Sequence, residues 1–162
     1  MNERKLLIDT NVLIGLEDWR ELQPALGKLQ QLCSQYGQRL FVHEHATKDI
    51  ARDRNLERRR ITVSKLRKFE RLAPAPMPSW SQLEISYGKI SSDNDRVDIA
   101  LLHSLHLGAV DFLVTEDQGI HSRARRVSPA FAERVLTIAD AVEWLSAQFE
   151  PKSVHLPLIG EV

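Results

Sequence analysis

A lone cysteine, Cys33, has no partner inside the chain, so an intramolecular disulfide is excluded and a reducing compartment is the expected setting. No apolar run reaches the roughly 18 residues of a membrane span, and MNERKLLID passes directly into structure without a signal-peptide pattern. A cytoplasmic protein with no membrane partner is expected. Neither sign of charge is in excess, 22 Lys and Arg standing against 22 Asp and Glu, so net charge says nothing about a polyanionic partner. Walker-type and GxGxxG loops are absent, which removes the support for nucleotide binding of those kinds. There is no internal repeat or low-complexity tract. What is present is 162 residues with 43% hydrophobic content, enough for one ordinary domain with a substantial core. That domain is expected to span 1–150, with 151–162 as a C-terminal tail or the start of a linker.

Leu6, Leu7 and Ile8 suit a strand buried on both faces, which stops at Asp9, Thr10 and Asn11 before VLIGL begins a helical pattern. Pro24 opens the next predicted helix, with Leu26, Leu29, Cys33 and Tyr36 at helical spacing and Gly37 as its stop. Leu40 to Val42 predict a second strand, and EHATKDIARD a helix with Asp49 on its flank. The basic stretch 52–71 is expected to continue as helix, packed through Leu56, Val63 and Leu66. PAPMP, at 74–78, breaks regular structure within the domain. WSQLEISYGKI fits a short helix or irregular structure, with Trp80 covering core. Ser92 and Asp95 resemble a capping box, Gly108 ends the helix they open, and Val110–Val114, interrupted by Asp111, forms the next strand. QGIHSRARRV suggests a short helix, RVLTI the last strand and ADAVEWLSAQF a final helix with Val142 and Leu145 on one side, ended by Pro151. Strands alternating with helices imply an α/β domain with a mostly parallel sheet.

Asp9 and Asp117 each fall just past a predicted strand's carboxyl end, the rim where open α/β sheets place function. Asp95 and Asp98 lie one turn apart on a helix, and Asp49 flanks a helix that follows another strand. Carboxylates gathered this way repel one another unless a cation is present, and oxygen-only donors favour Mg²⁺ or Mn²⁺ over zinc. Such an ion can polarise a phosphoryl oxygen and turn a bound water into a nucleophile, so phosphodiester hydrolysis needs no nucleophile from the protein. Structural roles compete: Asp9 and Asp117 can cap helices, and Asp95 suits the positive end of a helix dipole. Asp98, inside an apolar helix, is harder to explain in that way. Glu116 is expected to face solvent. His43, His45, His103 and His106 are expected to be satisfied or surface histidines and not zinc ligands. Residues 52–71 hold nine Lys or Arg against three Asp or Glu, and Arg123, Arg125 and Arg126 form a second cluster. Either patch can neutralise phosphates or be a solvated helix face.

In this order, LLIDTNVLIGL, ATKDIARD, RVDIALLHSLHLGAVDFLVTED and VLTIADAVEWL resemble the successive motifs of PIN-domain nucleases, and together they span most of the chain to about residue 149. The resemblance implies a three-layer α/β/α sandwich with a central, mostly parallel sheet, and an Mg²⁺- or Mn²⁺-dependent endoribonuclease that uses a metal-activated water. It matches Asp9 to the family's first acid, with Thr10 and Asn11 beside it. Asp49, followed by Ile50, fits the place of the second acid better than Glu44, and is shorter than the usual Glu. Asp98 matches the third acid and Asp95 becomes a supplementary metal ligand. Thr115 and Asp117 meet the T-x-D pattern, with Thr115 placed to orient a water or phosphate. Asp9, Asp49, Asp98 and Asp117 are thus the implied catalytic acids, while Arg52, Arg54, Arg58, Arg59, Arg123 and Arg125 flank them as nucleic-acid contacts. RNA is the implied substrate. Many members are toxins, so an antitoxin-like protein inhibitor and a homodimer stay open as partners. Two other readings also stay open: a PIN-like module that binds RNA or protein without cutting, and a metal-dependent phosphohydrolase acting on a small molecule.

Overall fold

The computed structural model describes residues 3–10, 19–45, 47 and 54–149, and of residues 19–23, 58, 61–63 and 65 the backbone alone. The helix expected over VLIGL, most of the one over EHATKDIARD, and the tail 151–162 lie outside the described residues, as do Asn11, Asp49 and Arg52. The described elements are β1 (Lys5–Ile8), α1 (Trp19–Gln35), β2 (Arg39–His43), α2 (Leu56–Leu66), β3 (Glu70–Leu72) and α3 (Trp80–Tyr87). They continue as α4 (Asp93–His106), β4 (Phe112–Val114), α5 (Gln118–Val127), α6 (Pro129–Ala132), β5 (Val135–Leu136) and α7 (Ile138–Phe149).

All five strands run parallel in the order β3-β2-β1-β4-β5. Side chains alternate across the sheet, and this period of two divides the core. Leu6, Ile8, Val42 and Val114 face one side with Leu29, Leu32 and Cys33 of α1 and Ile138, Ala141 and Leu145 of α7. Leu7, Phe41, Leu113 and Val135 face the other, against Leu83 and Tyr87 of α3, Ile99 and Leu102 of α4, and Ile120 and Ala124 of α5. The result is a three-layer α/β/α sandwich with a wholly parallel sheet. Among the described residues no helix is long and apolar enough to cross a membrane.

Several local expectations need correcting. Pro24 does not open α1 but lies inside it. The proline gives up one bond, to the carbonyl four residues back. The basic stretch leaves the helix at Leu66, and Glu70–Leu72 form the edge strand β3, which pairs with β2. That strand is short, charged and half exposed, so it carries no apolar signal; the Arg39 guanidinium grips Glu70 across it at 2.6 and 2.8 Å. Leu56 is exposed and packs little. Trp80 is 37% exposed and does not seal the core; the Arg96 guanidinium lies over its ring at 5.3 Å. Strand β4 begins at Phe112, because the Asp111 carboxylate accepts the Lys5 amide at 2.8 Å and ends the regular ladder there. The capping boxes at Ser79 and Ser92 are both formed.

Removal of a side chain from the middle of either core half should be costly. Leu7→Ala is expected to lower stability by about 2–5 kcal/mol in urea denaturation, whereas Ile85→Ala, at a side chain 78% exposed, should stay within about 0.5 kcal/mol.

Candidate active site

Strand order reverses direction between β1 and β4, and at such a switch point the carboxyl ends of the two strands open a crevice. Ile8 pairs with Val114, so the next residues, Asp9 and Thr115, emerge side by side. Both share the parity of Leu7 and Leu113 and so project toward the α4 and α5 layer. The Thr115 hydroxyl donates to Asp9 Oδ2 at 2.7 Å and accepts the Asp117 amide at 3.1 Å. Asp9 is 3% exposed and Thr115 fully buried, and Thr10 is buried behind them.

Asp117 is the N-cap of α5, its Oδ1 accepting the Gly119 amide at 2.7 Å. A methyl group on Gly119 would stand 3.0 Å from that oxygen. His121, which the sequence did not single out, and Glu116, which it assigned to solvent, fix the same turn. The His121 ring donates from Nε2 to the Thr115 carbonyl at 2.9 Å, and Glu116 accepts the Ile138 amide at 2.8 Å. Glu116 is therefore half-buried as a cap on α7 and does not face solvent. The signal for His121 was its place four residues beyond the capping acid, where one helical turn brings it back over the strand end.

Asp98 sits on α4, whose start lies at the same rim because the helix runs back antiparallel to the strands before β4. It is half-buried and makes no hydrogen bond among the described residues. Burial pushes its carboxyl up to about 7, and the nearby Asp117 and Asp9 charges push the same way. Arg123 pulls weakly in the opposite direction.

Asp95 is engaged otherwise. Its Oδ2 accepts the Ser91 and Ser92 amides at 2.7 and 3.1 Å, and its Oδ1 meets Arg123 Nη2 at 3.1 Å. These contacts, the Ser91 amide first, hold its carboxyl below the usual range. Each oxygen thus already has a partner within the protein. Arg123 is likewise committed, being only 17% exposed in its side chain, and leaves the set of open phosphate contacts. Arg125 is exposed and donates to Ser122 at 3.0 Å, in the last turn of a helix that runs away from the rim. It stands on the order of 12 Å along the axis from Asp117. Arg54 is exposed just before α2, which begins on the rim side, and Arg59 is half-buried. The Arg58 side chain lies outside the described residues.

Of His43, His45, His103 and His106, two, His43 and His103, have hydrogen-bond partners on their rings. His103 Nδ1 lies 2.9 Å from the buried Tyr87 hydroxyl, and the His43 ring accepts the His45 amide at 3.1 Å. Burial and then the neighbouring His45 push His43 down to about 4.

Among the described residues no three His, Cys, Asp or Glu side chains stand close enough to enclose an ion. Asp9, Asp98 and Asp117 lie within one another's field without forming a closed cage. An all-oxygen, open donor set of this kind fits a hard divalent cation that keeps several waters. No protein-family model matches the chain, and no curated protein matches it. The crystal structure of PAE2754 from Pyrobaculum aerophilum is similar in fold, with a TM-score of 0.57 over 90% of this chain and 91% of that one, at 14% identity. At that identity the likeness is one of architecture: a three-layer α/β/α protein.

The raised Asp98 carboxyl has a sign that can be tested. Between about 4 and about 7 the folded state holds a proton there that the unfolded state releases, so Asp98 takes stability away as pH rises. His43, buried neutral, acts in the opposite sense from about 4 to 6.5. The diagnostic is therefore the stability of Asp98→Asn relative to wild type, without divalent metal. It should increase steadily from pH 4 to pH 7 in urea titrations, and a flat difference would contradict the assignment. Gly119→Ala should displace the Asp117 carboxylate and weaken any activity that depends on it, while circular dichroism stays native.

Proposed function

We propose that this chain is a PIN-like, Mg²⁺- or Mn²⁺-dependent endoribonuclease. The observation that carries the reading is Asp98, a half-buried carboxyl without a hydrogen-bond partner among the described residues, raised by its own burial and by two acids from other elements. A fold gains nothing from such a group unless something positive completes it. Asp9, Asp98 and Asp117 would hold the ion, with Asp49 as a further candidate from the motif resemblance. When bound, the ion would supply Lewis acidity toward a phosphoryl oxygen and a lowered pKa for an attacking water.

The chain's own groups orient that chemistry. Thr115 fixes the rotation of the Asp9 carboxylate by donating to Oδ2. The Gly119 amide holds Oδ1 of Asp117 and leaves Oδ2 for the crevice. His121 and Glu116 keep the intervening turn from yielding to the repulsion among the acids. The exposed cations near the start of α2, Arg54 among them, are available to an RNA backbone at the rim.

A second reading, an RNA-binding module that does not cut, is favoured by the open donor set noted above and by Asp in place of Glu at 49. One assay separates the two. With a defined RNA set in Mg²⁺, Mn²⁺ or EDTA, cleavage is expected with either metal and none in EDTA. Asp98→Asn should lose activity by on the order of a hundredfold or more. Cleavage that survives EDTA or Asp98→Asn unchanged would remove the nuclease assignment. RNA binding without any cleavage would leave the second reading.

A further inference from the structure

Thr115 ties Asp9 to Asp117 directly, but no such bond brings Asp98 to either of them, and its charge is repelled by both. Left to that repulsion, the start of α4 would drift from the start of α5. Arg123, in the second turn of α5, bridges the two helices. Its Nη1 donates to the Tyr87 carbonyl at 3.2 Å, its Nη2 to the Lys89 carbonyl at 2.9 Å, and Nη2 also meets Asp95 Oδ1 at 3.1 Å. Asp95 passes the grip on, since its other oxygen holds the Ser91 and Ser92 amides at the start of α4. Gly88 lets the connecting loop lie directly beneath the guanidinium: its φ is +101°, and a Cβ there would stand 3.4 Å from Arg123 Nη1 and 3.5 Å from Arg126 Cδ. Glu84 closes the loop by accepting the Ile90 amide at 2.9 Å.

We infer that Arg123 is a positioning residue, whose three-point grip on Asp95 and on the Tyr87 and Lys89 carbonyls holds Asp98 in register with Asp9 and Asp117. It is not a phosphate contact. The inference rests on the reading of that acid cluster as a cation site. The shape of the guanidinium matters here as much as its charge: a planar fork can serve two carbonyls and a carboxylate at once, which a lysine ammonium on a flexible stem does not reproduce. Charge alone makes the opposite prediction, because removal of a cation from beside the acids would tighten the binding of another cation.

Calorimetric titration with Mn²⁺ decides between them, using wild type, Arg123→Lys, Arg123→Gln, Asp95→Asn and the double variant Asp95→Asn/Arg123→Gln. Asn retains a capping oxygen, so Asp95→Asn tests the ion pair more than the cap. Both Arg123 variants are expected to weaken Mn²⁺ affinity on the order of 10- to 100-fold, the range for residues that orient metal ligands. Asp95→Asn should fall in the same range, and the double variant should lose no more than the worse single one. Amide hydrogen exchange should quicken across residues 88–95 while the middle of α4 keeps its protection. Wild-type affinity in Arg123→Lys, tighter binding in Arg123→Gln, or weakening in Asp95→Asn with neither Arg123 variant weakened would each overturn the inference. So would intact Mn²⁺ affinity in Arg123→Gln together with a salt dependence of RNA binding flatter by about one unit, the mark of a lost phosphate contact. If wild type binds no Mn²⁺, the cation reading fails on its own, and unchanged exchange at 88–95 in Arg123→Gln would separately overturn the positioning role.

Discussion

Like charges held together at a partly dry rim are the constraint on which the rest of this structure turns. Asp9, Asp98 and Asp117 arrive from a strand end, a helix interior and a helix cap, and burial together with the charges of Asp117 and Asp9 pushes Asp98 toward its neutral form. A set of local contacts holds the acids in place against that repulsion. Thr115 clamps Asp9, the Gly119 amide holds Asp117, His121 and Glu116 brace the turn between them, and Arg123 secures the helix that carries Asp98.

The sheet makes this arrangement possible. In a parallel sheet every strand ends on the same rim, and the order β3-β2-β1-β4-β5 places the two buried central strands, β1 and β4, next to each other at the reversal. Register then puts Asp9 beside Thr115, and the period of two turns both to the helical layer where Asp98 and Asp117 lie. Neighbouring apolar residues explain the precision of this placement. Leu7, Leu113, Ile99 and Ile120 are all fully buried just below the rim, so the acids stand on a floor that cannot give way without exposing core.

Much of this was legible in the sequence because its strongest signals were local. The runs Leu6–Ile8 and Leu40–Val42, the capping box at Ser92 and the stop at Gly108 depend on spacing within a few residues, and the structure forms all of them. The α/β class with a mostly parallel sheet followed from alternation, and the three-layer arrangement from the motif resemblance. Long-range contacts were not legible. The sequence left Asp95 as a supplementary ligand because nothing local announced its ion pair with Arg123, 28 residues further on by their numbering. Glu116 looked like a surface acid because the amide it caps lies 22 residues away. Strand β3 escaped notice because an edge strand of Glu, Arg and Leu is held by backbone pairing and by Arg39, neither of which leaves an apolar pattern. Trp80 misled for a related reason: its size suggested core, whereas its partner is the Arg96 cation at the surface.

The central claim is that the acids at the switch point are completed by a divalent cation that displaces the proton from Asp98. The most direct measurement is the number of protons released on Mn²⁺ binding, from calorimetry at pH 6 and pH 8 in buffers of different ionisation enthalpy. With the Asp98 carboxyl near 7, release of about one proton per ion is expected at pH 6 and much less at pH 8, with that difference lost in Asp98→Asn. No binding at millimolar Mn²⁺, or binding with the same proton release at both pH values, would contradict the claim.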